Sequence, residues 1–353
     1  MIARRTVVLL STLTLVTAIG AAAAVIDRAS STRSEVEAEP MYPGFAEQAE
    51  QITRIEVQRA PDSEVKSVTL VRTESGWVVE ERSGYPASVD PIRKLLFDIG
   101  ELERIERKTA SAERHHRLQL TDVSKEGSAS TRIVLKLKDG AALADFHVGK
   151  EQSAAAGGKE LIYLRPSEAD QTWLALGKLE LRDGPERWLN RVLAEIPSEA
   201  IVETMMDTGE GNVLNLKRKD EKNFDILNLS EKLKVKSQYS VNNAAVVLDR
   251  LVFDDVRLAK ELTFDPALGK SFFKTKDGVE VVIEFAADPL GDAAEKPEQW
   301  MRFSVSIPEG LADDAKGPYE ALSERSKGWA FRLTGYETAR VRATLESLTE
   351  AAE

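Results

Sequence analysis

Apolar residues recur along this chain with two periods. Short runs alternate in steps of two, as half-buried strands do, and one longer run repeats at three- and four-residue spacings, as a helix does. Ile52, Ile55 and Val57 mark a first strand, followed by a polar turn around Pro61-Asp62-Ser63. Residues 68–72 read as a second strand, and Glu74-Ser75-Gly76 turns the chain into a third, 77–80. Such runs between Gly- and Ser-containing turns predict antiparallel hairpins. Ser88 is placed to cap a helix opened by Val89-Asp90-Pro91. Val89, Ile92, Leu95, Leu96, Ile99 and Leu102 share one face of it, and Arg93, Lys94, Asp98 and Glu101 the other. Residues 133–137 run into Lys138-Asp139-Gly140, a hairpin signal. Ala144, Phe146 and Val148 then alternate with Asp145 and His147, and 161–164 add a strand.

The same order returns further on. Ile52-Thr53-Arg54-Ile55-Glu56-Val57 is matched by Ile201-Val202-Glu203-Thr204-Met205-Met206, and Val68, Leu70 and Arg72 by Leu214, Leu216 and Arg218. Trp77 falls opposite Phe224, Ser83-Gly84-Tyr85 opposite Ser237-Gln238-Tyr239, and Leu95-Leu96-Phe97-Asp98 opposite Leu251-Val252-Phe253-Asp254. Residues 131–137 fall opposite 279–285. A period of roughly 150 residues means tandem domains, because solenoid repeats run about 20–50. A second helix is expected from Ala244, Val247, Leu248, Leu251 and Val252, behind Asn242-Asn243. Met301, Phe303, Val305 and Ile307 predict a strand, 329–333 the last strand, and 336–348 a C-terminal helix. The expected fold is α+β: tandem modules over 52–182 and 183–353, each an antiparallel sheet with a packed helix. Asp183 and Pro185 suit a helix start at the join, where Trp188, Val192 and Leu193 would pack. Residues 154–158 and 288–297 read as loops.

Arg4 and Arg5 precede an uncharged apolar stretch, 6–26, ended by Asp27 and Arg28. About 20 apolar residues can cross a bilayer as a helix. The paired arginines would stay in the cytoplasm and send the rest outward. Residues 1–28 therefore read as a transmembrane anchor. A cleavable signal peptide is the alternative, with Ala22-Ala23-Ala24 near a small-residue cleavage site. Residues 29–51 are polar and poorly patterned, and read as a linker. The chain has no cysteine, which excludes a lipoprotein anchor, disulfides and thiol catalysis.

The length of 353 residues suits two domains. A net charge of -11 argues against nucleic acid as a partner and against docking on anionic headgroups. Catalytic patterns are sparse. Adjacent His115 and His116 diverge on any regular element, and His147 falls on the polar face of its strand, so surface roles are expected for the three histidines. His-Glu-x-x-His and Gly-x-Ser-x-Gly do not occur, and Gly149-Lys150 and Gly157-Gly158-Lys159 lack the flanks of a phosphate loop. Asp254-Asp255 and Asp313-Asp314 read as solvated acidic faces. Asp207, Glu210 and Asp220 do not have calcium-loop spacing. No cofactor or metal is therefore expected. Trp77, Tyr85, Trp173, Trp188, Trp300 and Trp329 are the candidate binding residues, with packing of sheet against helix as the competing role.

Several of these segments carry a resemblance. They are residues 52–57, the hairpin ending in Gly76-Trp77-Val78-Val79, the Tyr85-Pro86-Ala87 turn and the helix with Leu95-Leu96. Trp188-Leu189-Asn190-Arg191 and Gly328-Trp329-Ala330-Phe331-Arg332-Leu333 belong with them. Together they resemble the bacterial domain-of-unknown-function 4340 family, over most of the chain from Ile52 onward. The second copy departs from the pattern, lacking the Gly-Trp and Tyr-Pro pairs. The resemblance implies a single-pass protein of the bacterial inner membrane with a C-terminal periplasmic ectodomain. It also implies association with an ABC transporter permease and ATPase of the gliding-motility auxiliary type, and offers no catalytic residue to carry over. The expected function is a non-enzymatic accessory protein. The alternative is a cell-wall or polysaccharide-binding module using the aromatic residues, and a hydrolase would need two converging carboxylates.

Overall fold

The computed structural model describes residues 35–64, 66–153, 160–209, 211, 213–264, 268–287 and 299–352. The apolar stretch 6–26 and the loops 154–158 and 288–297 lie outside the described residues. Among the described residues no helix is long and apolar enough to cross a membrane. The described chain is α+β, with antiparallel sheets and few helices.

The elements begin with strand β1 (Glu35–Pro40), the short helix α1 (Phe45–Gln48), then β2 (Ile52–Gln58), β3 (Val68–Thr73), β4 (Gly76–Val79) and β5 (Tyr85–Pro86). Helix α2 (Val89–Gly100) precedes β6 (Glu103–Arg107), β7 (Thr131–Leu137), β8 (Ala142–Ser153), β9 (Glu160–Pro166) and β10 (Trp173–Leu176). Next come β11 (Val192–Ala194), β12 (Ile201–Asp207), β13 (Val213–Arg218), β14 (Phe224–Ile226), β15 (Leu233–Val235) and helix α3 (Gln238–Ala245). Strands β16 (Leu251–Leu258), β17 (Lys270–Thr275), β18 (Glu280–Ala287) and β19 (Gln299–Ser306) lead to helix α4 (Asp313–Ser326). Strand β20 (Trp329–Leu333), helices α5 (Gly335–Val341) and α6 (Leu345–Leu348), and β21 (Thr349–Ala351) finish the chain.

The chain folds into two compact units. One takes the residues up to Trp77 together with Val89–Pro185, and the other takes Val78–Ser88 together with Glu186–Glu353. In the first unit the sheet runs β1-β6-β10-β9-β8-β7-β2-β3 in space. Ile52, Ile55, Val57, Leu70, Ile133, Leu135 and Phe146 are buried, because alternate side chains of a strand share one face. Helix α2 closes this core with Ile92, Leu95 and Ile99. The Asp139-Gly140 turn joins β7 to β8, and Gly140 takes the left-handed φ of 86° that such a hairpin favours.

Part of the segment read as a linker, 29–51, is folded. Strand β1 pairs antiparallel with β6, Glu39 meets Arg104 at 2.6 Å, and Met41 and Phe45 are buried. Outer strands carry charge to discourage further pairing, so composition alone reads them as linker.

The second unit's sheet runs β11-β16-β20-β19-β18-β17-β12-β13-β14. Its first nine places correspond, strand for strand, to β1-β6-β10-β9-β8-β7-β2-β3 and the strand that follows in sequence. This order corrects three expected matches. Residues 131–137 form β7, whose counterpart is β17, whereas 279–285 fall on β18. Leu95–Asp98 are helical, but Leu251–Asp254 open β16. Ser237 caps α3 by accepting from the Ser240 N–H at 3.4 Å, so it takes the place of Ser88 and not of Ser83. The expected second helix is thus earlier and shorter. Leu251, Phe253 and Val256 are buried in a strand that begins just after a 3-10 turn at Val247–Asp249, and the apolar run across this boundary imitates a helical spacing. The C-terminal helix also divides: α5 ends at Val341, and Thr344 with Ser347 forms a capping box that starts α6. Asp313 and Asp314 lie in the first turn of α4, where carboxylates favour the helix dipole.

Segment Val78–Ser88 completes the second unit's core. Tyr85 is buried edge-on against Phe253 at 5.5 Å, Trp329 at 5.1 Å and Phe331 at 5.9 Å. Ser88 N–H donates to Trp188 O at 2.7 Å, and Asn190 N–H to Pro86 O at 3.0 Å.

Candidate functional site: an apolar groove in the first unit

Helix α2 spends Ile92, Leu95 and Ile99 on the core. One flank of it, carrying Val89, Arg93, Leu96 and Phe97, lines a groove of about 500 Å³. Phe97 is 66% exposed and Val89 45%, both large apolar groups left in water. Phe45, Ala46 and Ala49 form the facing wall, and half-buried Trp77 lines it from β4. Gly100 lets α1 approach: a Cβ there would stand 3.2 Å from Phe45 Cδ1. Glu50, Arg72, Arg93 and Glu101 supply the charged groups. Arg72 Nη1 donates to Glu50 O at 2.7 Å.

The second unit holds pockets of about 380, 520 and 740 Å³ and a smaller, more enclosed one of about 140 Å³ lined by Tyr85, Pro86, Asn190, Glu324, Arg325 and Trp329. Of the candidate aromatics, Tyr85, Trp173, Trp188 and Trp300 are buried. Trp173 lies beneath Arg104 at 5.3 Å and Arg107 at 5.2 Å, and Trp300 beneath Arg257 at 4.5 Å. Trp77 and Trp329 are half-buried, Trp77 on the groove of the first unit and Trp329 on a pocket of the second.

His147 is a correction: it is fully buried, although the alternation of β8 placed it on the polar face. The loop before β7 covers it, and no period within β8 reports that loop. Its Nδ1 stands 3.3 Å from Ser130 Oγ, and its Nε2 stands 3.7 Å from Asp122 Oδ2 without a hydrogen bond. Burial first, then Arg165, pushes the imidazole down to about 4. The order acid, imidazole, hydroxyl resembles a nucleophilic triad, but Ser130 is buried and donates to Thr121 O at 2.5 Å. Among the described residues Arg165 beside it donates to backbone carbonyls, including Leu120 O at 3.2 Å. This cluster therefore fastens the covering loop. His115 is also buried, with Nε2 at 2.8 Å from Asp170 O, and His116 is exposed.

The paired acids do not converge. Asp254 holds Arg191, and Asp255 receives Arg82 Nε at 2.5 Å. Among the described residues no three His, Asp or Glu side chains are grouped to hold a metal ion. Sequence reasoning missed the facing wall from α1. It also passed over Phe97, whose signal was available: an aromatic placed off the apolar face of an amphipathic helix.

No curated protein and no solved structure matches this chain. A family match runs from Trp77 in the groove, through Tyr85 and α2, and on across β12, α3 and β16. Spanning residues 77–267, more than half of the sequence, it shows that the chain belongs to the family described as domain of unknown function (DUF4340).

Proposed function

We propose that the protein is a non-enzymatic, membrane-anchored periplasmic accessory of an ABC transport system, and that its two units arose from one duplicated module. The groove beside α2 carries this reading: an acidic chain leaves Phe97 and Val89 exposed around a concave apolar surface, as a binding protein does. The apolar stretch 6–26 supplies the anchor. The outermost strands of the two sheets offer contact to a permease, because strand edges recruit partners. The test is a pull-down of the tagged full chain from its native membranes in mild detergent, with mass spectrometry. Permease and ATPase subunits are expected with it. Recovery of the protein alone would overturn the transport reading.

The Trp329 pocket favours a second reading, a glycan-binding envelope module. It combines two aromatic rings with Asn190, Glu324 and Arg325. Under this reading glycan fragments change Trp329 fluorescence, and Trp329→Phe abolishes the change. A silent titration removes it.

A further inference from the structure

We propose that the groove beside α2 holds the acyl chain of a zwitterionic single-chain amphiphile, with a head bearing one phosphate and one ammonium group. The inference rests on reading this groove as the binding site and adds the class of ligand. Three observations carry it. The groove's volume of about 500 Å³ lies in the range of small-molecule sites, about 300–1,000 Å³. Its walls are Phe45, Trp77, Leu96 and Phe97, with no polar side chain on the stretch between α1 and α2 formed by Ala46, Ala49, Ile92 and Gly100. Such a surface favours a ligand segment without hydrogen-bonding groups, because a polar group there would lose its water without a partner.

Charge complementarity selects the head. Both signs occur around this one groove: guanidinium groups from Arg72 and Arg93, carboxylates from Glu50 and Glu101. Arg72 uses one of its five donors on Glu50 O, and Arg93 has a loose, exposed partner in Asp90 at 3.6 Å. Arginine suits a phosphate, and the carboxylates suit an ammonium group. A purely anionic head would meet Glu50 and Glu101, and a purely cationic one would meet the arginines. A phosphoethanolamine head satisfies both.

The experiment uses the full chain in nanodiscs and a lysophosphatidylethanolamine with a diazirine in its acyl chain. After photolysis, labelled peptides are mapped by mass spectrometry. Labelling is expected on 89–101, competed by unlabelled lysophosphatidylethanolamine. Competitor affinity should rise about fourfold for each added methylene until the groove is full. Phe97→Asp should reduce labelling more than fivefold, and because Phe97 is exposed the fold should survive, as circular dichroism can check. Glu50→Gln with Glu101→Gln should erase a preference over lysophosphatidylglycerol of at least fivefold, because both heads carry the phosphate and the ethanolamine head alone carries an ammonium group. Labelling confined to 6–26, or unchanged by Phe97→Asp, overturns the proposal. So does competition by an amphipathic helical peptide but not by lysolipid, which would make the site a peptide groove. Permease recovery without groove labelling would leave the transport reading standing and this ligand class refuted. Labelling without permease recovery would do the reverse.

Discussion

The two units order their strands alike, yet the helix flank that opens on a groove in the first is closed by side-chain hydrogen bonds in the second. Both helices begin at the same distance after β2 or β12, with Val89 and Gln238 in equivalent places. Both units also send an arginine back to the 3-10 turn before that strand: Arg72 to Glu50 O, and Arg218 to Ser198 O. The difference lies on one flank of the helix. In the second unit Gln238 Nε2 donates to Phe224 O at 2.8 Å, and Asn242 Oδ1 accepts the Phe224 N–H at 3.0 Å. Asn242 Nδ2 also reaches Asn223 Oδ1 at 3.2 Å. These amides stitch α3 to β14. In the first unit the same helical places hold Val89 and Arg93, which cannot bridge a strand's N–H and C=O groups in this way. Two side chains thus distinguish this flank of the helices on an unchanged sheet order. Binding surfaces can differ between repeats without any change of fold.

The largest effect should come from Tyr85, because it tests which residues complete the second unit. Tyr85→Ala removes a buried ring from the Phe253, Trp329 and Phe331 cluster and should cost about 3–5 kcal/mol. Hydrogen exchange in urea should show faster opening of β16 and β20, with β2 and β7 unchanged. Equal loss in all four strands would mean that the units do not unfold separately.

Acid should separate the units next. All three histidines lie in the first, and burial and Arg165 hold His147 down to about 4 from an ordinary 6.5. The unfolded chain binds the proton first, so stability is full above pH 6.5 and falls as pH drops toward 4. The total is roughly 3 kcal/mol, at about 1.4 kcal/mol for each pKa unit. Below that, protonation removes what Asp122 and Asp145 contribute, since hydrogen bonds from Ser124 and ion pairing with Arg132 hold these carboxyls below the usual range. In the second unit burial raises Glu337, so that group favours the fold as pH falls. Unfolding followed from pH 7 to 4 should therefore show the first unit weakening, and His147→Phe should flatten its slope. An unchanged slope would place the acid sensitivity elsewhere.

Much of the fold was legible because strand and helix periods survive in short windows. The strands at 52–57, 68–72, 133–137, 161–164 and 329–333, and the helix at 89, stand where the patterns put them. What failed needed information from outside the window. Strand β1 looks like linker until Arg104 and the neighbouring β6 are known. The repeat was mismatched past residue 238, because the second unit reaches its next strand after a 3-10 turn instead of a longer helix. The groove was half legible: its helix was predicted, but its other wall comes from α1, in a stretch of ordinary polar composition. Nothing local to residues 78–88 marks them as part of the second unit.

The smaller predictions act on the flank where the units differ. Asn242→Ala should cost about 1–3 kcal/mol by leaving the Phe224 N–H without its acceptor, and should speed exchange of that amide. The exchange in the other direction is the finer test. Val89→Gln with Arg93→Asn installs the second unit's amides on α2. Both positions are exposed, so stability should move by no more than about 0.5 kcal/mol. Groove labelling by the photoreactive lysolipid should nevertheless fall at least fivefold, because Val89 no longer offers apolar surface and Arg93 no longer offers charge. If labelling persists at full strength, these two places are not what distinguishes the units. The distinction would then lie with α1 and Phe45, which the second unit replaces with the 3-10 turn at Ser198–Ala200 alone.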